Sequence, residues 1–189
     1  MMQKITDLSN PDLTDNTIIG QPKSFLNSDI TFFGTGNIIV FQGDDIKIKN
    51  SSFTFKGNNS IIYLNHSKEE YSLRITAYSM CVVFIGKDIA INNYLEIIVS
   101  EAKTVFIGDD CLFSSQCLIR SSDAHALYDL STGLRINNAR SVFIGDHVWF
   151  GARVVCLKGS RVYSGSVIGS DSVLTGKEYY SNNAYGGNP

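Results

Sequence analysis

No apolar run in the 189-residue sequence approaches the length of a membrane span, and its opening, MMQKITDLSN, lacks the apolar segment of a secretory signal. Stable membrane insertion is therefore not expected, and the cytosol is the default compartment. Basic residues are few and scattered, 16 Lys and Arg against 18 Asp and Glu, for a formal net charge of −2. That distribution gives neither the footprint of a nucleic-acid binder nor a polybasic membrane anchor. The four cysteines, Cys81, Cys111, Cys117 and Cys156, form no C-x-x-C pair and sit inside apolar patterns. They read as small buried hydrophobes in a reducing compartment, not as disulfides or zinc ligands. No serine or cysteine stands in a G-x-S-x-G nucleophile motif. Nothing carries the period of a long helix. What remains is one soluble domain over 1–189, 43% hydrophobic and long enough for a substantial core.

A repeat is present instead. VFIG occurs at 83–86, 105–108 and 142–145. From the third copy an apolar or small residue recurs in steps of six: Ile144, Phe150, Cys156, Val162, Ile168, Leu174. Four places after the first five stand Val148, Val154, Ser160, Ser166 and Ser172, all small or β-branched. The same phase links Ile85, Ile91 and Ile97, and then Ile107, Phe113 and Ile119. A period of six is neither helical nor an alternating strand. It suits a short strand and a tight bend, three per coil, with the apolar residue inside and the small one at a crowded corner. Glycine, Asn and Asp near the corners tolerate positive φ. Upstream, IIVF, IKIK, FTFK and IIYL, parted by QGDD, NSS and GNNS, imply irregular coils. Residues 1–28 read as a cap over the solenoid's end, and SKEEY (67–71) as a polar excursion. The fold class is all-β.

The ladder of sixes arrives at His125, in SSDAHALYD, where it calls for an apolar residue, and then lapses until Ile144. Residues 124–141 are too polar and irregular for another coil and read as a protruding loop. A histidine where a rigid scaffold meets a loop is well placed to act as a base, although a lone one there more often just caps a coil.

The six-step ladder, IGDHVWFGARVVCLKG (144–159), VIGSDSVLTGK (167–177) and GGNP (186–189) resemble the hexapeptide-repeat acyltransferases. The resemblance is strongest over about 85–189, and within the family it points to the O-acetyltransferases of bacterial capsular or other surface polysaccharides. It implies a left-handed parallel β-helix, acetyl-CoA as cosubstrate, a carbohydrate acceptor and a homotrimer with active sites between subunits. It pairs His125 as general base with Trp149, the single tryptophan, in VWFG. It places Gly151 and Ala152 at the thioester end, and Ser170 and Thr175 at the pantetheine. Trp149 also becomes a wall for that arm. Lys158 and Lys177 are candidates for CoA phosphates, although the family's basic residue directly after Thr175 is Gly176 here. The sequence ends at Pro189, before the family's basic tail, so no contact to the adenine is assigned.

On this reading His125 removes a proton from a hydroxyl as it attacks the thioester, and a backbone N–H stabilises the oxyanion. Asp123 or Asp129 is expected to hold the other ring nitrogen, if the chain bends to bring either there. Three rivals compete with it: N-acetylation of an amino-sugar, a scaffold without catalysis, and a zinc carbonic anhydrase. The last needs converging histidines, and His66, His125 and His147 are too dispersed for it; no metal is expected.

Overall fold

The computed structural model describes residues 2–9, 11, 13–43 and 45–188. Asp44 of the QGDD turn and Pro189 of GGNP lie outside the described residues. The chain winds around three faces. The first face stacks Gln3–Ile5, Asp29–Phe32, Ser52–Phe55, Leu73–Ala77, Leu95–Val99, Cys117–Arg120, Val155–Cys156 and Val173–Leu174. The second stacks Thr17–Ile19, Ile38–Gln42, Ile61–Asn65, Val82–Ile85, Thr104–Ile107, Val142–Ile144, Arg161–Val162 and Glu178–Tyr179. The third has a two-stranded piece, Ser24–Leu26 with Lys47–Lys49. A five-stranded piece follows, from Ala90–Ile91 through Leu112–Phe113, Trp149–Phe150 and Val167–Ile168 to Ala184–Tyr185. In chain order the strands visit second, third and first face in turn, one for each side of a prism, except that no third-face strand stands between Ile61–Asn65 and Leu73–Ala77.

The repeat dictates this stacking. Parallel pairing sets Val83 on Val105 on Val142, Phe84 on Phe106 on Phe143, and Ile85 on Ile107 on Ile144. Alternation along each strand turns the aliphatic residues inward and the rings outward. All six residues of the C-terminal ladder are buried, and the five small corner residues are too. The glycine ending each VFIG is demanded by the next coil: a Cβ on Gly86 or Gly108 would stand within 2.5 Å of an atom in the coil above. The aspartates beyond close the same corner, with Lys87 N donating to Asp109 Oδ1 and Asp109 N to Asp146 Oδ1, both at 2.8 Å. On the outside of the second face, Tyr63, Phe84, Phe106 and Phe143 stack at 5.1, 4.9 and 5.1 Å, and Tyr163 and Tyr180 prolong the column.

The upstream coils vary in length: Ile18 pairs with Ile39, Ile39 with Ile62 and Ile62 with Val83, at 21, 23 and 21 residues, before the spacing settles at 22 from Ile75 to Ile97 to Ile119. Other expectations change. Strands of four or five residues replace those of two, so the coil lengthens without losing phase. Ile91 stays in register, pairing with the buried Phe113, but is only partly buried because Ala90–Ile91 is the edge strand of the five-stranded piece. Within the stretch expected to be a cap, Thr17–Ile19 and Ser24–Leu26 already pair in parallel with the next coil. The strand that covers the end is Gln3–Ile5, which runs antiparallel to Asp29–Phe32. SKEEY is only partly an excursion. Tyr71 is fully buried, donating its hydroxyl to Asn65 O at 3.0 Å, because a residue there must fill the third face where it lacks a strand. No helix among the described residues is long and apolar enough to cross a membrane.

Candidate active site

The interruption of the ladder occupies residues 121–141, between Cys117–Arg120 on the first face and Val142–Ile144 on the second. It leaves the prism at the edge shared by those faces. Its outer part is a hairpin: Tyr128 bridges Arg135, and Ile136 N donates to Leu127 O at 2.9 Å. Asp129 is consumed by the turn. Its Oδ1 accepts from the hydroxyls and main-chain N–H groups of Ser131 and Thr132, and these, the Ser131 hydroxyl first, hold its carboxyl down at about 2. It orients the turn and not His125.

Two anchors fix the hairpin's base. Arg135 forks onto Glu101 at 2.5 and 3.0 Å, and Ser122 Oγ donates to the same carboxylate; Arg135, then Ser122, hold Glu101 down at about 2. The second anchor is Asn137, which is buried. Its Nδ2 donates to His125 O at 2.7 Å and to Asp123 Oδ2 at 2.9 Å, while its Oδ1 accepts from Leu127 N at 2.7 Å and Arg135 Nε at 3.3 Å. Lys158 Nζ donates to Asp123 Oδ2 and, at 3.0 Å, to Asn137 O. The Lys158 ammonium is the main reason the Asp123 carboxyl lies below the usual range.

His125 is exposed and follows Ala124, whose φ of +69° belongs to the left-handed region. The expectation of Asp123 beside the ring is corrected here. Its carboxylate goes instead to Lys158 and Asn137, because the chain bends at Ala124, and it reaches His125 only through the amide that grips the main-chain carbonyl. Lys158, expected at a phosphate, has its charge committed to Asp123. Asn137 is invisible to a sequence reading because nothing in its spacing separates it from the other polar residues of the loop.

Trp149 stands on the third face, 47% exposed, between Leu112 and Val167, with Nε1 donating to Ser114 Oγ at 3.3 Å. Gly151, Ala152 and Ser170 make the corner that follows it, where Ala152 N donates to Ser170 Oγ at 3.1 Å. A Cβ on Gly151 would lie 2.5 Å from Ser170 N, so coil packing alone requires that glycine. Thr175 and Lys177 are exposed and lie back at the hairpin's edge. Thr175 joins Asp123, Asn137 and Lys158 around a cavity of about 310 Å³, and joins Lys177 around another of about 350 Å³. One edge thus gathers Asp123, His125, Lys158, Thr175 and Lys177. The third face lies opposite that edge of the prism, so within one chain Trp149 is on the far side from His125.

Burial pushes the thiols up, to about 12 for Cys111 and Cys156 and about 11 for Cys117, so they offer no thiolate nucleophile near neutral pH. Among the described residues no group of three or more His, Cys, Asp or Glu is placed to hold a metal ion. His147 occupies a corner at φ +54°, with Nε2 3.9 Å from Asp110.

No family model matches the chain. A polysialic acid O-acetyltransferase of Neisseria meningitidis is 35% identical over 146 residues, which are 77% of this chain and 67% of that protein. The crystal structure of the polySia-specific acetyltransferase NeuO superposes with a TM-score of 0.82 at 31% identity, covering 93% of this chain and 80% of that one. The structure of the polysialic acid O-acetyltransferase OatWY gives 0.74 at 27% identity, covering 92% and 82%. Three-sided coils, a ladder of sixes broken once by a histidine-bearing hairpin, and this degree of likeness lead to one conclusion: the chain belongs to the hexapeptide-repeat, left-handed β-helix O-acetyltransferases related to the polysialic acid enzymes.

Proposed function

We propose that the protein transfers an acetyl group from acetyl-CoA to a hydroxyl of an acidic bacterial surface polysaccharide, with His125 as general base and no covalent enzyme intermediate. The observation that carries this reading is the mounting of His125: exposed, at the foot of the 121–141 hairpin, with its main-chain carbonyl held by the buried Asn137. A hydroxyl is a poor nucleophile until a base takes its proton, and an imidazole titrates close enough to neutrality to do so and to return the proton to the departing thiol. The relatives' names supply the acid polymer. Acetyl-CoA, when bound, supplies the activated acyl carbonyl. Thr175 and Lys177 fit its arm and phosphates, since Lys177 has no carboxylate partner among the described residues and lines an open cleft.

The remaining part of the site comes from a second copy of the chain, in a homotrimer. Two features support this: Trp149 and His125 lie on opposite sides of one prism, and the second face carries an outward column of aromatic rings flanked by Ile61, 38% exposed. An apolar strip of that length is more at home against protein than water. The reading is tested by following thiol release from acetyl-CoA with a sialic acid polymer as acceptor. The wild type is expected to acetylate it, and His125→Ala to lose at least about a hundredfold in kcat while remaining folded. Equal rates for the two proteins would remove His125 from the reaction.

A further inference from the structure

Arg120 ends the strand Cys117–Arg120, five residues before His125, with its side chain on the outside of the first face beside Ile98. It lines a cavity of about 340 Å³ together with Tyr78, Ile98, Ser100, Glu101 and Ala124, at the hairpin's foot. Its Nε is closed off from solvent and meets no acceptor among the described residues. A shielded donor without a partner is uncommon in a folded protein and costly to keep. The nearby carboxylates do not relieve it. Glu101 is taken by the fork of Arg135 and by Ser122. Asp123, which Arg120 influences through space, is bonded to Lys158 and Asn137. A further cation lies near one lining residue, with Lys56 Nζ 5.8 Å from the centroid of the Tyr78 ring.

We propose that this cavity is an anion subsite in which Arg120 binds a carboxylate of the acceptor and so presents a neighbouring hydroxyl to His125. With Nε shielded, a guanidinium still matches a carboxylate in a fork through its two terminal nitrogens, and a flanking aromatic ring and Ile98 suit the apolar edge of a sugar. The inference rests on the acid-polysaccharide reading above and adds the residue that selects an acid acceptor over a neutral one. A CoA phosphate shares the same anionic chemistry, so the two sources must be separated by experiment.

Binding of a sialic acid oligomer is measured by calorimetry for the wild type, Arg120→Gln and Arg120→Lys, and repeated with the oligomer's carboxyls reduced to alcohols. Steady-state KM values for the polymer and for acetyl-CoA are taken in parallel, with thermal unfolding as the check on folding. Arg120→Gln is expected to weaken oligomer binding and raise polymer KM at least about tenfold, with Arg120→Lys between it and the wild type. Acetyl-CoA KM should stay unchanged, and with the reduced oligomer all three proteins should bind alike. Undiminished binding by Arg120→Gln overturns the proposal. So does a rise confined to acetyl-CoA KM, which assigns the anion to CoA, or an equal loss with the reduced oligomer, which makes the role structural. A wild type that binds the oligomer without acetylating it sinks the transfer reading and leaves the subsite standing.

Discussion

Asn137 has two donor hydrogens and two acceptor positions, and all four are used: on His125 O, Asp123, Leu127 N and Arg135 Nε. No other side-chain type offers both functions in one plane at that length except glutamine, which is one methylene longer. Asn137→Ala is therefore expected to leave the solenoid intact but let the imidazole wander, reducing kcat by about ten- to a hundredfold, as small misplacements of a catalytic group do. Asn137→Asp should be worse, since it removes both donors and sets a second negative charge against Asp123. Steady-state kinetics on the two variants check the order, and equal activity of all three proteins would show that the grip on His125 O is idle.

The hairpin is held to the prism chiefly by ions, and its behaviour should follow their titration. Glu101 has a carboxyl lowered by Arg135 from 4.5 to about 2, and Lys158 likewise lowers Asp123. A lowered folded value means the stabilisation is fully present above the unfolded value and disappears as the pH falls towards the folded one. Amide exchange and proteolysis within 121–141 should therefore increase between about pH 4.5 and 2, with the coils still protected. Uniform protection of hairpin and coils through that window would count against ionic anchoring. Little of this is legible in the sequence. The ladder reveals where the hairpin begins and ends because a period of six is a local pattern, carried by Ile107, Phe113, Ile119 and Ile144. The partners of Glu101 and Asn137 are set by three-dimensional proximity across 34 and 14 residues, which no local pattern encodes. Tyr71 misleads for a related reason: its polar neighbours Lys68, Glu69 and Glu70 conceal one inward side chain. The upstream coils are hidden by length. Turns of 21 and 23 residues, as from Ile18 to Ile39 and from Ile39 to Ile62, stack in register but break a ladder of sixes.

For the whole molecule, the proposed site, divided between the edge bearing His125 and the opposite face bearing Trp149, requires two chains. His125→Ala and Trp149→Ala, each expected to be nearly inactive alone, should recover activity when unfolded together and refolded as mixed oligomers. In a closed ring about a quarter of the sites would then receive both intact side chains. Separate refolding followed by mixing is the control, and no recovery in the co-refolded sample would place both residues in one chain's site. The register across the hairpin carries a different consequence. Val105 meets Val142 and Ile107 meets Ile144 as though the intervening segment were an ordinary bend. The scaffold does not sense what is spliced in at that edge, and lengthening a loop whose ends are already adjacent costs only about 0.6 kcal/mol per doubling. Residues 121–141 thus sit where the stack tolerates exchange: a segment of another length could be grafted between Arg120 and Val142 while the prism beneath goes on folding as before.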